Sequence, residues 1–126
     1  MAIGIAPFPS RQPRDNYGAF GSEAATLTAL CKRLAAGLDP REIWLFGSRA
    51  RGDALPDSDF DLLLVFDDEA GSDVLDYDRA YAPLLGLGIG CDVVPCLKSD
   101  FDAERAIPGT IPHAASRGRL IHRRDG

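Results

Sequence analysis

The segment that most constrains this chain is Phe60-Asp61-Leu62-Leu63-Leu64-Val65-Phe66. From Leu62 onward its apolar residues do not alternate with polar ones. A half-buried strand would show that period of two, so this run reads as a strand buried on both faces. Pro56-Asp57-Ser58 supplies a turn before it, and Asp67-Asp68-Glu69 reads as a solvated charge run behind it. The strictly apolar part, Leu62 to Phe66, is far short of the roughly 20 residues that a membrane-spanning helix needs.

Other elements fall around this strand. Ser22 is placed to cap a helix, with Glu23 in its first turn and Leu27, Leu30, Cys31 and Leu34 forming one apolar stripe. Gly37 reads as its C-terminal stop. Glu42 to Phe46 is a first strand, Cys91 to Cys96 a third, and Leu120-Ile121-His122 a small edge strand. The segment Ser48 to Arg51 suits a helical turn. A second helix is expected from a Ser72 cap through Val74, Tyr77, Tyr81 and Leu84 or Leu85, and short ones over Ser99 to Ala106 and Ile111 to Ser116. Residues 1–21, with Pro7, Pro9 and Pro13, read as an extended or partly disordered lead-in to a single domain over 22–126. Helices interspersed with strands make this an α/β (α+β) domain around one sheet.

Composition sets limits on function. The 126 residues are 45% hydrophobic and 26% charged, which suits one globular domain able to bury a core without staples. A net charge of −5, from 14 basic and 19 acidic residues, argues against bulk or sequence-specific nucleic-acid binding, because phosphate contacts need a cationic surplus. No secretory signal is expected from the N-terminal sequence. Three cysteines, Cys31, Cys91 and Cys96, then read as reduced structural thiols of a cytoplasmic protein. Zinc is not expected: no Cys-x-x-Cys pair occurs, and the histidines are His113 and His122.

The chemistry concentrates in Gly47-Ser48-Arg49-Ala50-Arg51-Gly52 and Asp57-Ser58-Asp59-Phe60-Asp61. Asp59 and Asp61 are two apart at a strand start, so both face one way. Two like charges leading into a buried strand repel each other and resist desolvation, and a divalent cation removes that penalty. Magnesium suits the pair, because it accepts a few carboxylates and fills its other positions with water and phosphate oxygens. A strand ending in Gly47-Ser48 and entering a helical turn offers free backbone N–H groups to an anion, while Arg49 and Arg51 add positive charge. Asp92, opening the third strand, is placed to supply a third carboxylate. Three carboxylates can hold two metals, and Asp92 could alternatively take a proton from an acceptor hydroxyl. These elements together suit a magnesium-bound nucleoside triphosphate.

Gly47-Ser48, ten residues, then Asp59-Phe60-Asp61 resembles the nucleotidyltransferase motif of the DNA polymerase β superfamily. The longer wording, GSRARG followed by DSDFDLLLV, resembles the minimal nucleotidyltransferase (MNT) group within it. The resemblance spans roughly Ile43 to Val94. It implies a small domain with a mixed sheet flanked by helices. It also implies transfer of a nucleoside monophosphate, AMP from ATP in the favoured reading, to a hydroxyl. By the resemblance, Gly47 and Ser48 hold the triphosphate with Arg49 and Arg51 near it, and Asp59, Asp61 and Asp92 are the catalytic, magnesium-holding carboxylates. MNT proteins are often antitoxins paired with a HEPN-domain toxin, and some add AMP to a tyrosine of that toxin. A HEPN-domain partner and a hetero-oligomer are therefore expected. A non-catalytic antitoxin and a nucleotidyltransferase acting on an aminoglycoside-like small molecule are the alternatives. Template-directed polymerisation is not expected of so short a chain.

The remaining signals read as ordinary structure. Trp44 and the helical Tyr77 and Tyr81 suit packing, Asp53 and Asp57 suit turns, and Arg117, Arg119, Arg123 and Arg124 suit a solvated end. Gly86-Leu87-Gly88-Ile89-Gly90 has the wrong spacing and context for a dinucleotide fingerprint.

Overall fold

A computed structural model describes residues 15–125. The sheet has the order β3-β2-β1-β4, formed by β1 (Glu42–Phe46), β2 (Phe60–Phe66), β3 (Cys91–Leu97) and β4 (Arg119–Arg123). β1 runs antiparallel to both β2 and β4, and β2 runs parallel to β3. The sheet is therefore mixed, as the resemblance implies. The helices are α1 (Glu23–Leu38), α2 (Ser48–Arg51), α3 (Tyr77–Tyr81), α4 (Lys98–Glu104) and α5 (Ile111–Ser116).

β2 is buried on both faces, as its unbroken apolar run predicts. Phe60, Leu62, Leu64 and Phe66 face a larger core completed by Leu27, Leu30 and Leu34 of α1 and by Leu84. Leu63 and Val65 face a smaller core with Trp44 of β1, Phe101 of α4 and Ala115 of α5. The Trp44 indole lies 5.5 Å from the Phe101 ring and donates to Glu42 Oε1 at 3.0 Å, so it is a core residue with its polar edge satisfied. Among the described residues no helix is long and apolar enough to cross a membrane.

Ser22 caps α1, its side chain accepting from the Ala25 N–H. The helix does not stop at Gly37, however. It runs to Leu38 and ends on Asp39, in the left-handed conformation at φ 51°. Gly37 is small because Pro83 packs against it, leaving no space for a Cβ. The helix expected from Ser72 onward is instead broken up. Ser72–Leu75 is a 3-10 turn, and α3 starts afresh on Asp76, whose carboxylate accepts from the Asp78 and Arg79 N–H groups. A second 3-10 turn, Ala82–Leu84, follows with Pro83 inside it. A new cap and a proline outweigh the apolar spacing.

Of the expected lead-in, residues 1–14 lie outside the described residues. The rest is not extended: Gly18–Phe20 forms a 3-10 turn, and Tyr17 and Phe20 pack against the larger core. Asp67 and Arg124 also depart from the solvated reading, whereas Arg117, Arg119 and Arg123 are exposed as expected. Asp67 is paired with Arg41 and Arg124, and Arg123 approaches Glu42.

Candidate active site

Strand register brings the predicted carboxylates together. Phe46, the last residue of β1, lies opposite Asp61, and Asp61 lies opposite Asp92. Neighbouring partners in a sheet project to the same face. Asp61 and Asp92 therefore stand side by side on the face that carries the smaller core. Asp59 sits just before β2, two residues from Asp61. A cleft of about 280 Å³ opens here, lined by Phe46, Asp61, Tyr77, Asp92, Val94 and Ile111 among others.

The field in this cleft is negative. Burial, then the charges of Asp92 and Asp59, hold the Asp61 carboxyl above the usual carboxylate range, with Arg51 opposing them in part. Asp61 and Asp92 come within hydrogen-bonding reach of each other. On the other side of β3, burial followed by the charges of Asp59, Asp92 and Asp61 pushes the Cys91 thiol up to about 12. Cys31 and Cys96 are raised to about 11 and about 12, mainly by burial. All three are free, and the raised pKa disfavours the thiolate that reacts.

Two glycines make the crowding possible. Gly47 adopts φ 72°, ψ −156°, a conformation essentially reserved for glycine. A Cβ there would collide with the Asp61 carboxylate. A Cβ on Gly90 would collide with the Asp59 carboxylate. Gly47 was recognisable from its motif, whereas Gly90 is hidden inside a glycine-rich connector. α2 begins directly after Gly47, and the N–H groups of Ala50 and Arg51 return to the Gly47 carbonyl. The Ser48 and Arg49 N–H groups open the turn and lack intrahelical partners. Backbone donors thus stand one strand away from the carboxylates.

The two arginines of α2 separate. Arg51 is exposed, pairs with Asp53 at 3.2 Å, and contributes positive charge at Asp61. Arg49 does not face a ligand, which corrects the expected nucleotide contact. Its side chain is 1% exposed and bonds Glu23 at 3.0 Å. It also donates to the Tyr17 hydroxyl and to the carbonyls of Pro56 and Ser58 at 2.9, 2.9 and 2.7 Å. The guanidinium lies 4.4 Å from the centroid of the Phe60 ring. Arg49 therefore clamps the loop that delivers Asp59. Motif spacing alone could not show which way a four-residue helix turns its arginines.

Asn16 is the residue that the sequence reading missed. Its side-chain amide donates to the Ser58 and Gly90 carbonyls at 3.0 and 2.9 Å and accepts from the Gly90 N–H at 2.7 Å. It ties the loop before Asp59 to the loop before Cys91. No local signal announces a contact across 74 residues.

The donor set fits a hard divalent cation. Among the described residues no group of three His, Cys, Asp or Glu side chains is placed to hold a metal ion. Magnesium does not require one, since one or two carboxylates with water and phosphate oxygens suffice. Asp61 and Asp92, with Asp59 beside them, offer such an open oxygen site against a backbone that leaves no room for a Cβ at Gly47.

The chain resembles, in fold, a candidate nucleotidyltransferase of Sulfolobus solfataricus, at 23% identity and TM-score 0.52, covering 78% of this chain and 77% of that one. It also matches the CdnE cyclic dinucleotide synthase of Elizabethkingia meningoseptica, solved with GTP and Apcpp. That match has 22% identity and TM-score 0.41, and covers 59% of this chain and 36% of that one. No curated protein matches it. The family model for the nucleotidyltransferase domain matches residues 25–119. That stretch contains Gly47, Ser48, Asp59, Asp61 and Asp92 with the strands that carry them, and the chain belongs to the nucleotidyltransferase domain family.

Proposed function

We propose that this protein transfers AMP from ATP to a hydroxyl on a partner protein, a tyrosine of a HEPN-domain toxin, and so acts as its antitoxin. The observation that carries the chemistry is the register that sets Asp92 beside Asp61, one strand from Gly47 and the open turn of α2. The toxin as partner is supported by the MNT-like wording of the motif.

In this reading the backbone at Gly47-Ser48 binds the triphosphate, and the Ser48 hydroxyl and Arg51 add contacts at its edge. Asp59, Asp61 and Asp92 would hold magnesium, which would neutralise charge on the triphosphate and the leaving pyrophosphate. The acceptor oxygen bonds to the α-phosphorus. The bond from that phosphorus to the oxygen bridging the β-phosphate breaks, and pyrophosphate leaves with the electron pair. In this reading Asp92 also takes the acceptor proton. Arg49 and Asn16 act as positioning residues, holding the loops that carry Asp59 and lead into β3.

The test is label transfer in a lysate of the source cell, with magnesium and ATP labelled on the α-phosphate. A labelled protein band seen with the wild type and lost in Asp59→Asn/Asp61→Asn is the expected result. Label confined to a small soluble product would replace the protein acceptor with a small molecule. A double variant that neutralises the toxin as well as the wild type does would show that covering the partner is enough.

A further inference from the structure

The cleft that holds Asp61 and Asp92 does not end there. A groove of about 490 Å³ continues from it, sharing Tyr77, Val94 and Ile111 and running along β3 past Cys96 to Asp100 and Glu104 of α4. Its floor is apolar, and its far wall carries these two carboxylates. They stand four residues apart, on one face of the helix, where like charges repel. The cations nearest to them in sequence are engaged elsewhere. Lys98 pairs with Asp102 at 2.6 Å, and the Arg105 guanidinium lies 4.8 Å from the Phe101 ring centroid. Among the described residues neither Asp100 nor Glu104 has a salt-bridge partner. Tyr77, 60% exposed, and Ile111, 39% exposed, stand on the shared rim.

We propose that this groove seats the segment of the partner protein that carries the acceptor hydroxyl, and that it selects segments with a lysine or arginine about four residues away from that hydroxyl. The inference rests on the nucleotidyl-transfer reading and adds the acceptor class to it. The spacing follows from β3. Asp92 and Cys96 are four residues apart, about 13 Å of extended chain, so an extended segment lying beside β3 covers the same span. That reach exceeds one side chain or one sugar ring, and the apolar lining along it, Leu63, Val94, Pro95 and Ile111, suits a peptide better than a chain of aminated rings. A second copy of this chain is disfavoured by its own net charge of −5. The apolar floor and exposed rim suit a protein surface.

Two fluorescent peptides test it, each with one tyrosine and, four residues on, either arginine or glutamate. Anisotropy is read at physiological salt with magnesium and a non-hydrolysable ATP analogue. The arginine peptide should bind about tenfold more tightly, as expected for two partly exposed charge pairs. Asp100→Asn/Glu104→Gln should reduce that preference to about twofold. Asp100→Lys/Glu104→Lys should reverse it, which a misfolded protein would not do. Equal binding of the two peptides, a preference that ignores both variants, or tighter binding of an aminated sugar would overturn the inference. Binding of a fluorescent ATP analogue separates the readings. It should be unchanged in Asp100→Asn/Glu104→Gln, and a wild type that selects the arginine peptide but binds no nucleotide would sink nucleotidyl transfer alone.

Discussion

The two ends of β2 each carry an aspartate, and the surroundings treat them in opposite ways. At the start, burial and then the like charges of Asp92 and Asp59 raise the pKa of Asp61. Asp67, just past the end, is held by hydrogen bonds from Arg124 and Arg41 below the usual carboxylate range. One residue type on one strand is thus destabilising at one end and stabilising at the other. Folding alone would favour the second arrangement at both ends. The repulsion kept at Asp61 is stability given up, and a bound cation with its phosphate ligands would recover it.

Removing the charge at the site end should have the largest effect. Asp59→Asn/Asp61→Asn should lower label transfer by about a thousandfold or more, on the order of 4 kcal/mol of transition-state stabilisation. The metal-free variant should melt no lower than the wild type, and Asp61→Asn alone should melt higher. A melt that falls along with activity would mean that Asp61 is a structural residue. Leu64→Ala, in the larger core between the two ends, is the control. It should cost about 2–5 kcal/mol in urea unfolding, without discriminating between the ends.

Arg49 and Arg51 divide the site end further. Arg49→Met takes the donor from Glu23 and the Tyr17 hydroxyl and one of two donors from each of the Pro56 and Ser58 carbonyls, which Asn16 also serves, and should cost about 1–3 kcal/mol. It should also reduce transfer, because the loop before Asp59 loses its clamp. Arg51→Met should leave the urea midpoint unchanged and weaken nucleotide binding. If the two variants behave alike, the division of labour within α2 is wrong.

These contrasts also mark what the sequence could reveal. β1 and β2 were legible to the residue because apolar, β-prone runs end sharply at glycine and aspartate. The meeting of Gly47, Asp59, Asp61 and Asp92 at one end of the sheet was legible because motif spacing and strand starts together fix where they fall. What stayed hidden depends on long-range packing. Arg49 is functional-looking by position, yet it is consumed by Tyr17, Glu23 and a loop. Gly37 mimics a helix stop but answers to Pro83, and Asp67 mimics a loop acid but answers to Arg124, 57 residues away. Periodicity also overcalled the helix after Ser72, because apolar spacing is blind to a cap at Asp76.

The smallest effect expected is the pH dependence of stability in EDTA, and it has opposite signs at the two ends. Asp61 has a raised pKa in the folded state, so that state binds its proton more tightly than the unfolded chain does. Its cost is present at neutral pH and is relieved as pH falls through the folded pKa towards the unfolded value of about 3.9. Asp67 has a lowered folded pKa, so its contribution is intact above about pH 3.9 and is lost as pH falls through the folded value below that. The melting temperature should therefore rise slightly on mild acidification and then fall. Asp61→Asn should remove the rise, and Asp67→Asn should soften the later fall without changing transfer. Magnesium with a non-hydrolysable ATP analogue should raise the neutral-pH melt most and so flatten the rise. If Asp67→Asn were instead to remove the rise, the assignment of the two ends would be reversed.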